Sequence, residues 1–367
     1  RNSEYRGSIV NLTPNTDYQI KMTLLSTSDT AMIESSTWSE NFPVGTTVEL
    51  PESSSSTLRI TTSGTPDAYR LYTFQPGKSA TIDVNRNSDY CIVVDANYVI
   101  IRGLTLREAK NSTIYINSNR HHVVIEENDM SLWGTGSSYQ SGVRTAWSSG
   151  ISNIVIQRNR IHNPWTDANS WCEPSSGSHP YGAFAVAFCN TGGRHVVRYN
   201  SIYSTNGNFF EDGIGGSDVA ETGSPTRDSD LYGNYINNCW DDAIHTEGSN
   251  KNVRVWGNFI VNWHHAWGNA PVTDGPLYHF RNIITPQSVP SWCGYNRGGL
   301  KKTTQSQNGR SYVFHNTMLW NPNLTGDIQG LDTGLGSGGN GMVNVVSRNN
   351  ILHVKSGKSS IRYTNSG

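Results

Sequence analysis

Two doublets carry the chemistry most legible in this chain, Asp241-Asp242 and His264-His265. Asp241 follows Asn234 by seven residues, and His265 follows Asn258 by seven. If the two stretches are successive rungs with no insertion between them, Asp241 lies over His265 and Trp240 over His264, about 4.8 Å apart. An acid over a histidine can hold a proton between them or raise the imidazole pKa. Neighbours in a strand point to opposite sides, so one member of the aspartate pair faces out and the other does not. Glu247 lies five residues beyond Asp242 with His245 between, and Glu211-Asp212 forms an acidic pair one segment upstream. Carboxylates gathered this way push one pKa up, which equips one as a proton donor and another as a base.

The same residue types fit other uses. Glu211, Asp212, Asp218 and Glu221 are spaced loosely enough to ligate Ca²⁺, so Ca²⁺ is a possible cofactor, although acid–base chemistry requires none. Aspartates also cap turns. Downstream, Arg281, Lys301 and Lys302 can meet an anionic group. The longest stretches of the chain hold Trp165, Trp171, Tyr181, Trp292 and Tyr295. Aromatic faces stack on sugar rings, and they equally pack loops onto a protein body.

A repeat must position these residues. The phrase Val/Ile/Leu-x-x-Asn-x-Ile/Met recurs at Asn128, Asn159, Asn200, Asn234, Asn258, Asn282, Asn316 and Asn349. Two consecutive spacings are 24 residues and the others run from 31 to 41. A fixed minimum with variable insertions marks a coiled solenoid, each turn a short strand unit plus loops of free length. The β-branched residues beside each Asn favour strands. An Asn at the same bend of every coil can form an internal ladder, amide to amide. Long loops on one flank build the walls of a groove. The stretch Tyr98–Leu106 is expected to be the first full coil, with residues 50–95 covering the open N-terminal end.

Residues 1–48 differ. Leu12-Thr-Pro14-Asn-Thr16-Asp-Tyr18 resembles the tyrosine corner of fibronectin type III domains, and Trp38–Phe42 reads as a last strand. Half of such a sandwich must lean on the solenoid. Lys+Arg is 28 against 29 Asp+Glu, so no overall field draws the chain to nucleic acid or an anionic membrane. No apolar run approaches the ~20 residues that span a bilayer. The chain begins at Arg1 without a signal peptide, and an upstream segment is expected to have been removed. Of five cysteines, Cys91, Cys189 and Cys239 lie in strand-like text and should pack as small apolar residues, while Cys172 and Cys293, in similar Ser-Trp-Cys loops, could pair. A solenoid buries each coil against its neighbours, so a monomer is a sufficient state.

Gly-Leu-Thr after Val-Ile-Ile-Arg, His-Val-Val-Ile-Glu-Glu-Asn128, and Asp241-Asp242-Ala-Ile-His-Thr-Glu247-Gly resemble the right-handed parallel β-helix proteins of the pectate-lyase-like superfamily. The resemblance implies an all-β fold, with a right-handed parallel β-helix over residues 49–367 and a partial fibronectin type III-like segment over 1–48. The order Asp212, Asp241-Asp242, His264-His265, then basic residues is similar to polygalacturonase-type glycosidases, although their Asn-Thr-Asp and Gly-His-Gly contexts are absent. It implies a secreted or cell-surface enzyme that hydrolyses an acidic or sulfated polysaccharide with inversion. Asp241 or Asp242 would be the acid, Asp212 the base and His265 the orienting residue, with Glu247 also in the catalytic set. His245, His264, Arg281, Lys301, Lys302, Trp165, Trp171, Trp240, Trp292 and Tyr295 would bind substrate. Inversion needs the two carboxyls ~6.5–9.5 Å apart, with water between. Two alternatives stay open. One is a polysaccharide lyase, with Lys301, Lys302, Arg281, His264 or His265 taking a proton beside a neutralised uronate. The other is a non-catalytic carbohydrate-binding β-helix.

Overall fold

The computed structural model describes residues 9, 11–137, 139–165, 182–205, 208–216, 223–269, 271–285, 297–301, 308–319, 328–331 and 344–353. For Trp240, His264, residues 297–299, Lys301 and residues 328–331 only the backbone is described. Among these residues every regular element is a strand, and no helix is long and apolar enough to cross a membrane.

The chain winds as a right-handed parallel β-helix with three strand faces. The first face runs from Val44–Leu50 through Val99–Arg102, His121–Glu126 and Ser152–Gln157 to Val345–Arg348, each strand pairing in parallel with the next. Each coil then turns at its asparagine onto a second face, such as Asp129–Trp133, Arg160–His162 and Ser201–Tyr203. A third face follows, with Ser112–Ile116, Ser141–Thr145, Phe184–Phe188 and Ile214–Gly216. Like residues stack from coil to coil inside the cylinder. One inner column reads Ile101, Ile125, Ile156, Val197, Leu231 and Val255, all fully buried. Each such side chain contributes ~1.5–3 kcal/mol of burial, repeated once per coil.

The bend between the first two faces shows why the asparagine recurs. The residue before it has positive φ in every coil: Glu127, Arg158, Tyr199, Gly233, Gly257, Arg281, His315 and Asn349, between 53° and 65°. The left-handed turn swings the next residue inward, where its side chain meets the neighbouring coils. Asn258 is typical. Its Nδ2 donates to Asn282 Oδ1 at 3.0 Å and to the Leu231 carbonyl at 2.9 Å, and its Oδ1 accepts the backbone N–H and Nδ2 of Asn234, both at 3.0 Å. The ladder runs as the sequence predicts from Asn128 to Asn316. The last rung is corrected: Asn350, not Asn349, accepts from Asn316, because strand pairing sets Val313 opposite Ser347 and leaves Asn349 on the left-handed bend.

The N-terminal end differs from expectation in two ways. Residues 50–95 do not simply cover the cylinder; Tyr69–Phe74 and Tyr90–Val94 are already in register with later coils. Trp38–Phe42 forms no strand. Trp38 and Phe42 instead pack onto the outer surface of the first face, against Tyr69, Leu71, Ile100, Val124, Val155 and Val196. Glu40 sits 3.6 Å from Arg158 and 3.7 Å from Arg198. The apolar outer column of this face supplies a surface that competes with strand pairing. Asp17–Thr23 and Thr30–Ser36 form an antiparallel hairpin, and the Tyr18 hydroxyl accepts the Thr13 N–H at 2.8 Å. Cys91, Cys189 and Cys239 are buried free thiols; Cys172 and Cys293 lie outside the described residues.

Candidate acidic and histidine centre

In most coils the second and third faces are separate strands. Tyr235–His245 and Phe259–Gly268 instead run through the corner without a break. Their register slips within it: Cys239 pairs with Trp263, but Asp242 pairs with His265. Trp240 and Asp241 therefore oppose the single residue His264, a β-bulge, which re-aims side chains and is favoured near functional sites. This corrects the register expected from sequence. Asp242, not Asp241, lies opposite His265, and Trp240 does not stack on His264 in a regular ladder.

The bulge gathers the acidic residues. His265 Nδ1 lies 3.5 Å from both Asp241 Oδ1 and Asp242 Oδ1. His245 Nδ1 lies 3.2 Å from Asp242 Oδ2 and 3.2 Å from Asp212 Oδ2, and its Nε2 lies 3.8 Å from Glu247 Oε2. The second oxygen of Asp212 accepts the Asp242 N–H at 2.9 Å, which ties the upstream coil to the bulge. Glu211 belongs to the frame: its carboxylate accepts the Gly182 N–H and its carbonyl accepts the Asp241 N–H. All these side chains are buried, Asp242 completely and His245 at 7% exposure, so the cluster is a lined recess and not the open cleft expected from sequence.

Burial and charge pull against each other here. Burial pushes the Asp212 carboxyl above its ordinary value, against the lowering effect of His245. For His245 burial opposes the charged form, but Glu247 and then Asp212 outweigh it and hold the ring's pKa well above normal. Cys239 is pushed well up by burial and by the nearby aspartates, which makes it an inert thiol.

Two glycines leave room for this packing. A Cβ on Gly268 would stand 1.9 Å from Asp242 Oδ2, and one on Gly215 would stand 3.1 Å from Asp212 Oδ2. Gly215, His245, Gly268 and Lys301 are neighbours across successive third-face strands. Followed the other way, the column continues through Ala187 to Arg144 and Tyr115. Ile214, Ile244, Trp267 and Leu300, one residue earlier, fill the core, so this column runs along the outside of the cylinder.

The expected residues thus divide. Asp212, Asp241, Asp242, His265 and Glu247 converge, with His245 at their centre. From sequence His245 was expected to bind substrate; its i, i+3 spacing from Asp242 signals nothing without the bulge. The cluster is tight where Asp212 meets Asp242, one of the two pairs expected for inversion. The nearest oxygens of Asp212 and Asp242 fall within 4.8 Å, below the ~6.5–9.5 Å needed for an attacking water. Towards Glu247 the intervening space is filled by the His245 ring. Arg281 is not part of the cluster; it sits on the bend before Asn282 and donates to Asn11 at 3.4 Å. Trp165 packs against the core with the Arg86 guanidinium 4.7 Å from its ring centre, so it braces a loop. Lys301 is placed by its backbone, opposite Gly268. Trp171, Tyr181, Asp218, Glu221, Trp292, Tyr295 and Lys302 lie outside the described residues.

Two trios can hold a cation: Asp212, Asp242 and His245, and Asp241, Asp242 and His265, the ligand atoms of each within 4.8 Å of one another. Donors bound at about 2.3–2.6 Å to one ion lie no more than about 5 Å apart, so both trios fit. Glu211, expected among Ca²⁺ ligands, is in neither.

No protein-family model and no curated protein matches the chain. Solved structures align with it. An alginate lyase from Paenibacillus sp. str. FPU-7 aligns over 75% of this chain and 86% of its own, with 14% identity and a TM-score of 0.52. The Dettilon tailspike protein aligns over 84% and 60%, with 12% identity and a TM-score of 0.43. A pectate lyase aligns over 88% and 69%, with 13% identity and a TM-score of 0.43.

Proposed function

We propose that this chain is a secreted polysaccharide-degrading enzyme that cleaves an acidic polysaccharide by β-elimination. The observation that carries the choice of elimination over hydrolysis is the packing of the cluster. The nearest oxygens of Asp212 and Asp242 lie within 4.8 Å of each other, closer than the ~6.5–9.5 Å of an inverting pair, which favours holding positive charge over driving water attack. The fold is also one in which an alginate lyase is built.

The outer column supplies the rest. Arg144, His245 and Lys301 share it, separated by Ala187, Gly215 and Gly268. Strand spacing of about 4.8 Å puts Lys301 two rungs and Arg144 three rungs from His245. A uronate carboxylate entering the recess would meet this column of basic residues. A divalent cation held by either trio would neutralise the uronate carboxylate and so acidify the C5 proton. In this proposal Lys301 takes that proton, the C5 electrons form the C4=C5 double bond, the C4–O bond breaks, and the leaving oxygen is protonated from solvent. Asp212 and Asp242 fix His245, and Gly268 keeps the approach clear.

The test is incubation with polyuronates and sulfated polysaccharides, with a neutral glucan as control. Elimination gives an unsaturated product that absorbs in the ultraviolet. That product is expected with an acidic chain and lost in Lys301→Ala. New reducing ends without absorbance would establish hydrolysis and overturn the proposal; binding without any product would leave a carbohydrate-binding β-helix.

A further inference from the structure

Four arginines on the outside of the cylinder, Arg102, Arg107, Arg160 and Arg254, each pair with a carboxylate of an adjoining coil at 2.6–2.9 Å. Arg144 does not. Its register neighbours are Tyr115 and Ala187, neither of them acidic. Its Nη1 donates to Asn111 Oδ1 at 3.1 Å, and its Nε is buried without a hydrogen-bond partner. Among the described residues no carboxylate pairs with it. A half-buried guanidinium without an anion keeps its fork of donors for one that arrives.

An aromatic wall stands beside it. Ala187 packs with Phe184 and Cys189, and the Tyr139 ring packs onto that group. Arg144 lies beside the same Cys189 thiol. Tyr139 stacks on Phe184 at 5.8 Å and meets Trp147 edge to face at 5.4 Å. Trp147 is 45% exposed, so its indole is open to solvent. Tyr139 is held at φ 60°, a strained setting for a bulky residue and one that clusters at ligand-binding loops. Gln140 fixes that setting. It is buried, accepts the N–H groups of Thr135 and Ser137 at 2.6 and 3.0 Å, and donates to the Lys110 carbonyl at 3.2 Å. The loop is thus built before any ligand meets it.

We infer that Arg144 and Trp147 form an acidic-sugar subsite, with Arg144 gripping the anionic group, carboxylate or sulfate, and Trp147 stacking on the ring. A fork of N–H donors matches two oxygens of either anion. The apolar face of a sugar packs on an exposed indole. Arg144 is three rungs, ~14 Å, from His245 along the outer column. The subsite therefore meets a sugar remote from the bond that breaks, and reads the charge of that unit. The inference rests on the reading of this chain as one that acts on an acidic polysaccharide.

Equilibrium binding decides it. Oligouronates, the same oligomers with their carboxyls reduced to alcohols, and sulfated oligomers of a neutral glucan are titrated into the Lys301→Ala chain, by calorimetry and tryptophan fluorescence. Adding Arg144→Gln should weaken the acidic oligomers about 10- to 100-fold, the worth of hydrogen bonds to a charged group. The reduced oligomers should bind as before. Arg144→Lys should recover part of the loss, since it restores the charge without the fork. Trp147→Ala should weaken acidic and reduced oligomers alike, by up to about 10-fold, and remove the fluorescence change. Circular dichroism confirms that each variant is folded. Unchanged binding of acidic oligomers in Arg144→Gln overturns the inference. So does an equal loss of acidic and reduced oligomers, which would mark a structural role, or no binding of any acidic oligomer before Arg144 is changed. A dependence on Arg144 confined to sulfated oligomers would uphold the subsite and overturn the uronate chemistry of the elimination reading. Dependence on Arg144 together with hydrolysis products from the parent chain would likewise uphold the subsite while defeating elimination.

Discussion

The asparagine corner and the acidic corner belong to the same coils, and both bury polar side chains almost completely. They differ in how those side chains are satisfied. At the asparagine corner each amide donates to the next and accepts from the previous, so the arrangement closes on itself and repeats. At the acidic corner the side chains are charged, drawn from three coils, and made adjacent by the bulge between Tyr235–His245 and Phe259–Gly268. Neutral, reciprocal partners make a scaffold; buried charged partners respond to a proton, a cation or a ligand.

Breaking the first corner should have the larger energetic effect. Asn258→Leu strands the N–H and Nδ2 of Asn234 and removes partners from Asn282 and Leu231. A loss of about 3–5 kcal/mol is expected, since each buried unmet group costs about 1–3 kcal/mol. Denaturant unfolding measures it, and cation binding by the remaining folded protein should be unchanged. A variant as stable as the parent would remove the ladder from the account of the fold.

Gly268→Ala addresses the second corner. The new methyl would overlap Asp242 Oδ2, so Asp242 must move. Overpacking of this kind costs about 1–3 kcal/mol, and a fall of about 100-fold in turnover is expected, since small misplacements in a site are that damaging. Full turnover in this variant would show that the position of Asp242 is unimportant to the reaction.

The effect that vanishes near neutral pH, and grows only on acidification, falls on histidines outside the acidic cluster. His279, within the core column, and His195 are pushed down to about 3 by burial. Their folded pKa lies below the unfolded value of about 6.5. Their contribution is therefore complete above about pH 6.5 and lost as pH falls towards 3, at ~1.4 kcal/mol per unit for each. His279→Gln should flatten the dependence of the unfolding midpoint between those limits; an unchanged slope would mean that the ring is not buried neutral.

Much of the scaffold was legible because the solenoid is periodic. The asparagines, the β-branched residues beside them and the minimum spacing of 24 residues are local signals repeated often enough to be unmistakable. The exception at Asn349 is instructive. Asn349 fits the phrase and Asn350 does not, having Ser347 three before it and Leu352 two after it, yet strand pairing puts Asn350 in the ladder. The grouping of Asp212, Asp241, Asp242 and His265 was also legible, since coil counting brings them together. Their partners were not. Counting assumes one residue per position, and the bulge after Cys239 adds one, which shifts His265 from Asp241 to Asp242 and lets His245 enter the centre.

By itself, the sequence determined the repeat, the strand content, the buried amide ladder and the coils from which the acidic residues come, because all of these follow from residue type and spacing along one chain. The tertiary structure alone decided the bulged register, the burial of the cluster, the central place of His245 and the clearance given by Gly268. These depend on distances between side chains of different coils, and a single added residue changes them all.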